Sequence, residues 1–326
     1  MATYYVDPAA SGSNTGADWT NAWTSMASAI STAAAGDTVY MRGTQTLSAN
    51  MDFSASGTPA GGFIKFIGCN AAGNVDGTRF KLNCNSGARS LRYMNQDYIW
   101  LQNVEVYAST GNGIALNSGQ QNGVFINVLS RDNGGDGWYG YYYGDGLFIN
   151  CGATGNTGDG FDAIYKPSYF VGCYSFDNGG DGYVSSSNGE MQTFVNCLAC
   201  NNGLDGFNTR WLKVAFYGCV ADNNDDNGIS GDDNLVMVLG CRITNNGNDG
   251  SGYGLSLLAD KLGVYGWNFF NGNQDGITSG NWNAIGYKDN ADTNETSGTE
   301  GYTDASNGDY NLTTDATLRS VEVELE

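Results

Sequence analysis

Residues 178–207 read NGGDGYVSSSNGEMQTFVNCLACNNGLDGF, and the phrase Asn-Gly-x-Asp-Gly-aromatic occurs in them twice. A wider window shows a series. NGGDGW ends at Trp138, TGDGF at Phe161, NGGDGY at Tyr183 and NGLDGF at Phe207, and looser copies, NDDNGI and NQDGI, end at Ile229 and Ile277. A second marker runs in phase with the first. Cys151, Cys173, Cys197, Cys219 and Cys241 stand 22, 24, 22 and 22 residues apart, each behind a short apolar run such as YFVGC or TFVNC. Two independent markers therefore agree on a period near 22 residues, the mark of a solenoid.

A unit of this length, with short strand-like runs and no helix, cannot bury its apolar side chains alone. Stacked copies can, with equivalent strands about 4.8 Å apart in parallel ladders. The residue after each Asp-Gly is large and apolar or aromatic, the third is small (Gly140, Ala163, Ser185, Thr209, Gly231), and the second is mixed. Period-two alternation places the first and third inward and the second outward. The expected fold is all-β: a parallel β-helix with an N-terminal capping helix.

Composition agrees. Of 326 residues 49 are Gly and 3 are Pro, suiting many tight turns and few gaps in a hydrogen-bond ladder. The formal charge is −20, with 14 Lys and Arg, so neither nucleic acid nor an anionic membrane surface is an expected partner. No run approaches the length of a membrane span, and no signal-peptide pattern precedes Tyr4. The phased thiols are expected to be free and stacked as small apolar groups, with Cys200, outside the column, the exception to watch.

Three regions follow. In residues 1–50, Trp19, Trp23, Met26 and Ile30 fall on one helical face that Gly36 would end, a cap for the open end of the stack. Residues 51–287 form the β-helix, with Val104 and Val128 where later coils carry Cys, Cys69 as a marker of an outer coil, and an inserted turn between Gly228 and Gly254. Residues 288–326 are polar, acidic and non-repeating, a tail or a terminal cover.

The NGxDG and Cys columns, the YYVDP opening, GDTVY after the capping helix, and the closing GDYNLTTDATL together resemble right-handed parallel β-helix proteins of the pectin-lyase-like superfamily. That superfamily includes polysaccharide lyases, glycoside hydrolases and phage tailspikes. The resemblance covers nearly the whole chain. It implies a carbohydrate-active protein, a depolymerase of lyase or hydrolase type, or else a non-catalytic virion, adhesin or surface glycan-binding rod. It also implies an extracellular or virion-associated setting, and a monomer or a homotrimer.

Chemistry belongs on the outward positions. If the Asp of each Asp-Gly (Asp136, Asp159, Asp181, Asp205, with Asp249 and Asp275 further on) stacks at about 4.8 Å, neighbours repel by roughly 0.9 kcal/mol even in water. Two arrangements offset this: each carboxylate accepts N–H groups of its own turn, or Ca²⁺ lies between rungs on the oxygen ligands it favours. No organic cofactor motif is present. Aromatic and polar groups beside this column (Tyr139, Tyr141, Tyr143, Tyr165, Asn208, Trp211) suit an oligosaccharide, whose C–H faces stack on rings. Hydrolysis needs two carboxyl groups about 5 to 9.5 Å apart, and Asp162 with Glu190, or Asp232 with Asp233, are the candidate pairs. A lyase needs a base, for which Lys166, Arg210 and Tyr141 are available. With no His in the chain, Ser–His and Cys–His nucleophile systems are excluded.

Overall fold

A computed structural model describes the chain except residues 89, 94–95, 117–121, 141–144, 165–166, 187–190, 211–212, 232–234, 258–261, 267, 277, 280–282, 285–290, 293–301, 305–308 and 313–326. The protein is a right-handed parallel β-helix. Each regular coil contributes three strands, as in Phe207–Arg210, Lys213–Tyr217 and Val220–Asp222. Each strand pairs in parallel with its equivalent one period away: Phe161 with Tyr183, Tyr183 with Phe207 and Phe207 with Ile229. The post-Asp-Gly strands make a ten-stranded sheet. The other two strands of each coil merge into a twenty-one-stranded sheet, because Ile99–Ser109 and Gly123–Arg131 run unbroken through the corner between them.

Aromatic side chains fill the interior in two columns. Phe125, Phe148, Phe170, Phe194 and Phe216 stack with centroids 4.9, 4.5, 5.0 and 5.1 Å apart. Trp138, Phe161, Tyr183 and Phe207 form the second column at 5.5, 4.9 and 4.8 Å. The columns meet edge to face, as at Phe207–Phe216 (5.1 Å). Burial of each such side chain contributes about 1.5–3 kcal/mol.

The thiols stand as expected. All eight cysteines are free, and Cys200 is the one not fully buried. The Cys173 Sγ donates to the Phe148 carbonyl of the previous coil at 3.4 Å, and Cys197 and Cys219 repeat the contact with Phe170 and Phe194. Val104 and Val128 pair in this column, but its outer member is Phe80 rather than Cys69. Residues 70–79 loop out at this corner between Ile64–Cys69 and Phe80–Gly87, which moves Cys69 out of phase with Val104.

The Asn of NGxDG builds a ladder of its own. The side-chain Nδ2 of Asn156 donates to Asn178 Oδ1 at 2.8 Å, Asn178 to Asn202 at 3.0 Å, Asn202 to Asn224 at 3.0 Å and Asn224 to Asn246 at 2.9 Å. These side chains are buried, so the repetition lets each amide satisfy the next. The following glycine is required by closeness: a Cβ at Gly179 would lie 2.4 Å from the Thr157 carbonyl oxygen.

The N-terminal helix is shorter than its sequence pattern. It spans Met26–Thr32, with the Ser25 Oγ accepting from the Ala27 N–H at 3.2 Å. Trp23 lies outside it because its N–H and carbonyl are held by Tyr5 and Asp7 at 2.9 Å each, fixing extended backbone there. Thr3–Val6 pairs in parallel with Thr38–Arg42, which pairs with Ile64–Cys69, so these N-terminal strands continue the ladder. Among the described residues no helix is long and apolar enough to cross a membrane.

Candidate functional site

The ten-stranded sheet carries an outward column in register. Tyr139 pairs with Asp162, Asp162 with Val184, Val184 with Asn208, and Asn208 with Ser230. Trp138, Phe161, Tyr183 and Phe207, which precede these residues, are fully buried, as the alternation requires. Beside the column, one corner earlier in each coil, runs the Asp of Asp-Gly.

These aspartates use their first oxygen differently from the own-turn expectation. Asp136 Oδ1 accepts the backbone N–H of Asp159 at 2.9 Å, Asp159 Oδ1 that of Asp181 at 2.7 Å, and Asp181 Oδ1 that of Asp205 at 2.8 Å. Asp205 Oδ1 accepts from Asn227 N at 2.9 Å and Asn227 Nδ2 at 2.8 Å. The bond runs to the next coil because stacked turns bring that N–H within reach while the turn's own donors are committed to inter-coil bonds. Asp249 and Asp275 do not belong to the column. The Gly228 N–H goes to the Tyr253 carbonyl and the Gly254 N–H to that of Gly276, so the inserted turn shifts the register.

The second carboxylate oxygen meets the outward column, and there the coils differ. Asn208 Nδ2 donates to Asp181 Oδ2 at 2.9 Å, and the Ser230 hydroxyl hydrogen-bonds Asp205. One position lower in the ladder, Val184 can offer Asp159 no donor. At the next, the residue is Asp162, which answers Asp136 with a second carboxyl. Burial, then the charges of Asp136 and Asp159, push Asp162 up to about 7. Burial also raises Asp136 and Asp159, the latter with help from the Asp136 charge. Asp181 rises to about 7, through burial first and the Asp205 charge second, despite its bond to Asn208. Arg210 ends the Phe207–Arg210 strand. Its Nε donates to Asn208 Oδ1 at 3.2 Å and its charge favours the ionised form of Asp205.

Of the residues singled out from sequence, the structure brings Tyr139, Asp162, Asn208 and Arg210 onto one strip, beside Asp136, Asp159, Asp181 and Asp205. Glu190, Asp232, Asp233, Lys166, Tyr141, Tyr143, Tyr165 and Trp211 lie outside the described residues. Among the described residues no group of three or more Asp, Glu, Cys or His is closed up as a metal cage. The polar links from Asn208 to Asp181 and from Ser230 to Asp205 were missed in the sequence. The signal was present, since Asn, Ser, Val and Asp alternate at one repeat position.

No protein-family model matches the chain, and no curated protein matches it. Solved structures do match. Pectate lyase Pel9A superposes with a TM-score of 0.69 at 20% identity, covering 93% of this chain and 83% of the other. A rhamnogalacturonan lyase gives 0.53 at 15% identity, covering 84% and 74%. A protein of Geobacillus virus E2, ORF18, gives 0.50 at 13% identity, covering 80% and 57%. At these identities the likeness is one of fold, the parallel β-helix.

Proposed function

We propose that this β-helix is a polysaccharide depolymerase that binds its substrate along the strip from Tyr139 to Ser230 and cleaves a uronate-containing chain by β-elimination. One observation carries the reading: for Asp136 and Asp159 the repeat places Asp162 and Val184 where Asn208 and Ser230 supply a side-chain donor in later coils, and the charges of both acids bear on Asp162. A scaffold that needed only stability would have kept the amide. Elimination, unlike hydrolysis, needs no second carboxyl group flanking the bond, and the described members of the outward column from Tyr139 to Ser230 hold one acid, Asp162.

The three carboxyls fit Ca²⁺ in donor type, being hard oxygen ligands with uncompensated charge, although one oxygen each of Asp136 and Asp159 is already engaged by backbone. When bound, the ion would supply the positive charge that neutralises a uronate carboxylate and makes the neighbouring C–H proton easier to remove. Arg210 suits substrate binding better than proton removal, because a guanidinium stays charged at any working pH and presents a fork of donors to a carboxylate. Its bond to Asn208 aims that fork along the strip. Lys166 is the better candidate base, since an ammonium gives up its proton far more readily. Tyr139 offers a ring face to a sugar. The two lyase folds among the similar structures are compatible with this chemistry, and a substrate of this size fits an extracellular or virion-associated setting.

A hydrolytic reading has one specific support, the pKa of about 7 at Asp162, which would let it act as a general acid near neutrality. A panel of uronate and neutral polysaccharides separates the two. We expect unsaturated products from uronate polymers, abolished by chelation, with Asp162→Asn and Arg210→Ala each lowering the rate by about 100-fold or more. Reducing ends without unsaturation, indifferent to chelator, would replace elimination with hydrolysis. Glycan binding without any product would leave a rigid binding rod.

A further inference from the structure

The outward column of the ten-stranded sheet continues below Tyr139 in the same register. Tyr139 pairs with Ala115, Ala115 with Arg92, and Arg92 with Asp52. Arg92 therefore stands three rungs from Asp162, about 14 Å. On the other side of Asp162, two rungs or about 10 Å away, lies Asn208, with Arg210 two residues along its strand. Of all the residues in the ten strands of this sheet, Arg92 and Arg210 are the two cations. One stands on each side of the acid.

Arg92 is held in a definite attitude. Its Nε donates to Asp52 Oδ1 and its Nη2 to Asp52 Oδ2, both at 2.6 Å, and among the described residues Asp52 is its one hydrogen-bonding partner. This side-on pairing uses one edge of the guanidinium and fixes its plane, leaving the edge formed by Nη1 and the second Nη2 proton for another acceptor. Both side chains stay open to solvent, Arg92 at 32% and Asp52 at 44%. An ion pair this exposed contributes little to stability, but it pre-orders a fork of donors, which lowers the cost of binding a planar anion. On the next rung Ala115 adds only a methyl group between Arg92 and Tyr139. A polyanion is repelled by a chain of net charge −20, and the carboxyls of Asp136, Asp159 and Asp162 add to that locally. A strip that retains such a polymer needs cations at fixed positions.

We propose that Arg92, oriented by Asp52, is a specificity-determining residue of the strip: its outer edge takes the carboxylate of a uronate unit bound three rungs from Asp162, at the end remote from Arg210. The inference rests on the reading of the strip as the binding site of a uronate polymer, and adds a length requirement to it. From Arg92 to the rung of Asn208 is five rungs, about 24 Å. An oligomer of several sugars engages both arginines, whereas a dimer held at Asp162 falls short of Arg92.

Titration calorimetry with octamers and dimers of galacturonate and of mannuronate, and with the methyl-esterified octamers, tests this, with unsaturated product recorded in the same samples. We expect Arg92→Ala to weaken octamer binding by about ten-fold or more and to leave the dimers and the esterified octamers as in the unaltered protein. Arg92→Lys should recover part of the loss. Asp52→Asn should weaken the octamer by a smaller factor, because the fork remains but is no longer aimed. Unchanged dimer affinity and melting temperature show that each variant is folded. Octamer affinity indifferent to Arg92→Ala, with product still formed, would overturn this inference and leave the depolymerase reading standing. Equal losses for dimer and octamer, or a loss for the esterified octamer, would also overturn it, since no distant carboxylate is then involved. An Arg92-dependent octamer affinity without any product would support the subsite and overturn the depolymerase reading. Absence of binding by every oligomer would overturn both.

Discussion

At the scale of single residues, Asp162 and Asn208 are the same repeat position with opposite consequences. Asn208 gives the carboxylate one coil below a donor, and Asp162 gives it another acid. Burial and the neighbouring charges raise Asp162 from its ordinary value to about 7, so the folded protein holds this proton more tightly than the unfolded chain does. The sign follows by linkage. Between roughly pH 4 and 7 the folded state binds more protons, so this group's contribution to stability is complete below pH 4, falls as pH rises, and is exhausted above about 7. Asp162→Asn, which restores the amide, is therefore expected to stabilise the protein by about 2 kcal/mol at pH 8 and by much less at pH 4. Denaturant melts at the two pH values check this; equal gains at both would show that the carboxyl carries no penalty. If calcium binds at these three acids, adding it should raise the melting temperature of the unaltered protein and leave that of Asp162→Asn nearly unchanged.

At the scale of the strand and its turns, the corner before the Cys column alternates Asn and Gly from Asn150 through Gly172 and Asn196 to Gly218, then repeats Gly at Gly240, each with φ between 51° and 63°. Left-handed backbone favours Gly and Asn. Alternation has a second cause. A Cβ at Gly172 would lie 2.5 Å from the Asn150 Oδ1, and one at Gly218 would lie 2.5 Å from the Asn196 Oδ1, whereas nothing lies within 4 Å of one at Gly240. Gly240→Ala should thus cost only the conformational term, about 1 kcal/mol. Gly218→Ala should cost more, because the Asn196 side chain must also move. Equal melting shifts for the two variants would remove the steric part of this account. The Cys column makes its own point at this scale: burial and thiol-to-thiol bonding raise Cys173, Cys197, Cys219 and Cys241 well above the ordinary thiol range, so these groups pack and do not react.

At the scale of the whole molecule, stability is a sum over coils and their interfaces. The aromatic columns make the middle of the stack its best-packed part. Phe194 touches Phe170, Tyr183, Phe207 and Phe216, at 5.0, 5.5, 5.4 and 5.1 Å between centroids. Phe194→Ala is expected to cost about 3–5 kcal/mol and to divide the solenoid into two weaker blocks. Loss of the single cooperative transition in calorimetry would be the sign; a simple shift of one sharp transition would show that the remaining Phe and Cys columns suffice to couple the halves.

Much of the fold was legible because periodicity converts directly into space. Once Cys151 to Cys241 and the Asp-Gly series share a period, parallel pairing puts them in columns, and alternation sends Trp138, Phe161, Tyr183 and Phe207 inward and Tyr139, Asp162, Asn208 and Ser230 outward. The chain alone thus determined the rungs, the free thiols and which residues point outward from the post-Asp-Gly strands. Three things needed the tertiary structure. A carboxylate in a stacked turn lies about as close to the coil above as to its own backbone, so only coordinates show that Asp136 and Asp159 bond to the next coil. The inserted turn after Gly228 breaks the phase, which is why Asp249 and Asp275 left the column. And the exposure of Tyr169 and Val171 depends on what does or does not pack over a sheet, a distance relation that no local pattern encodes.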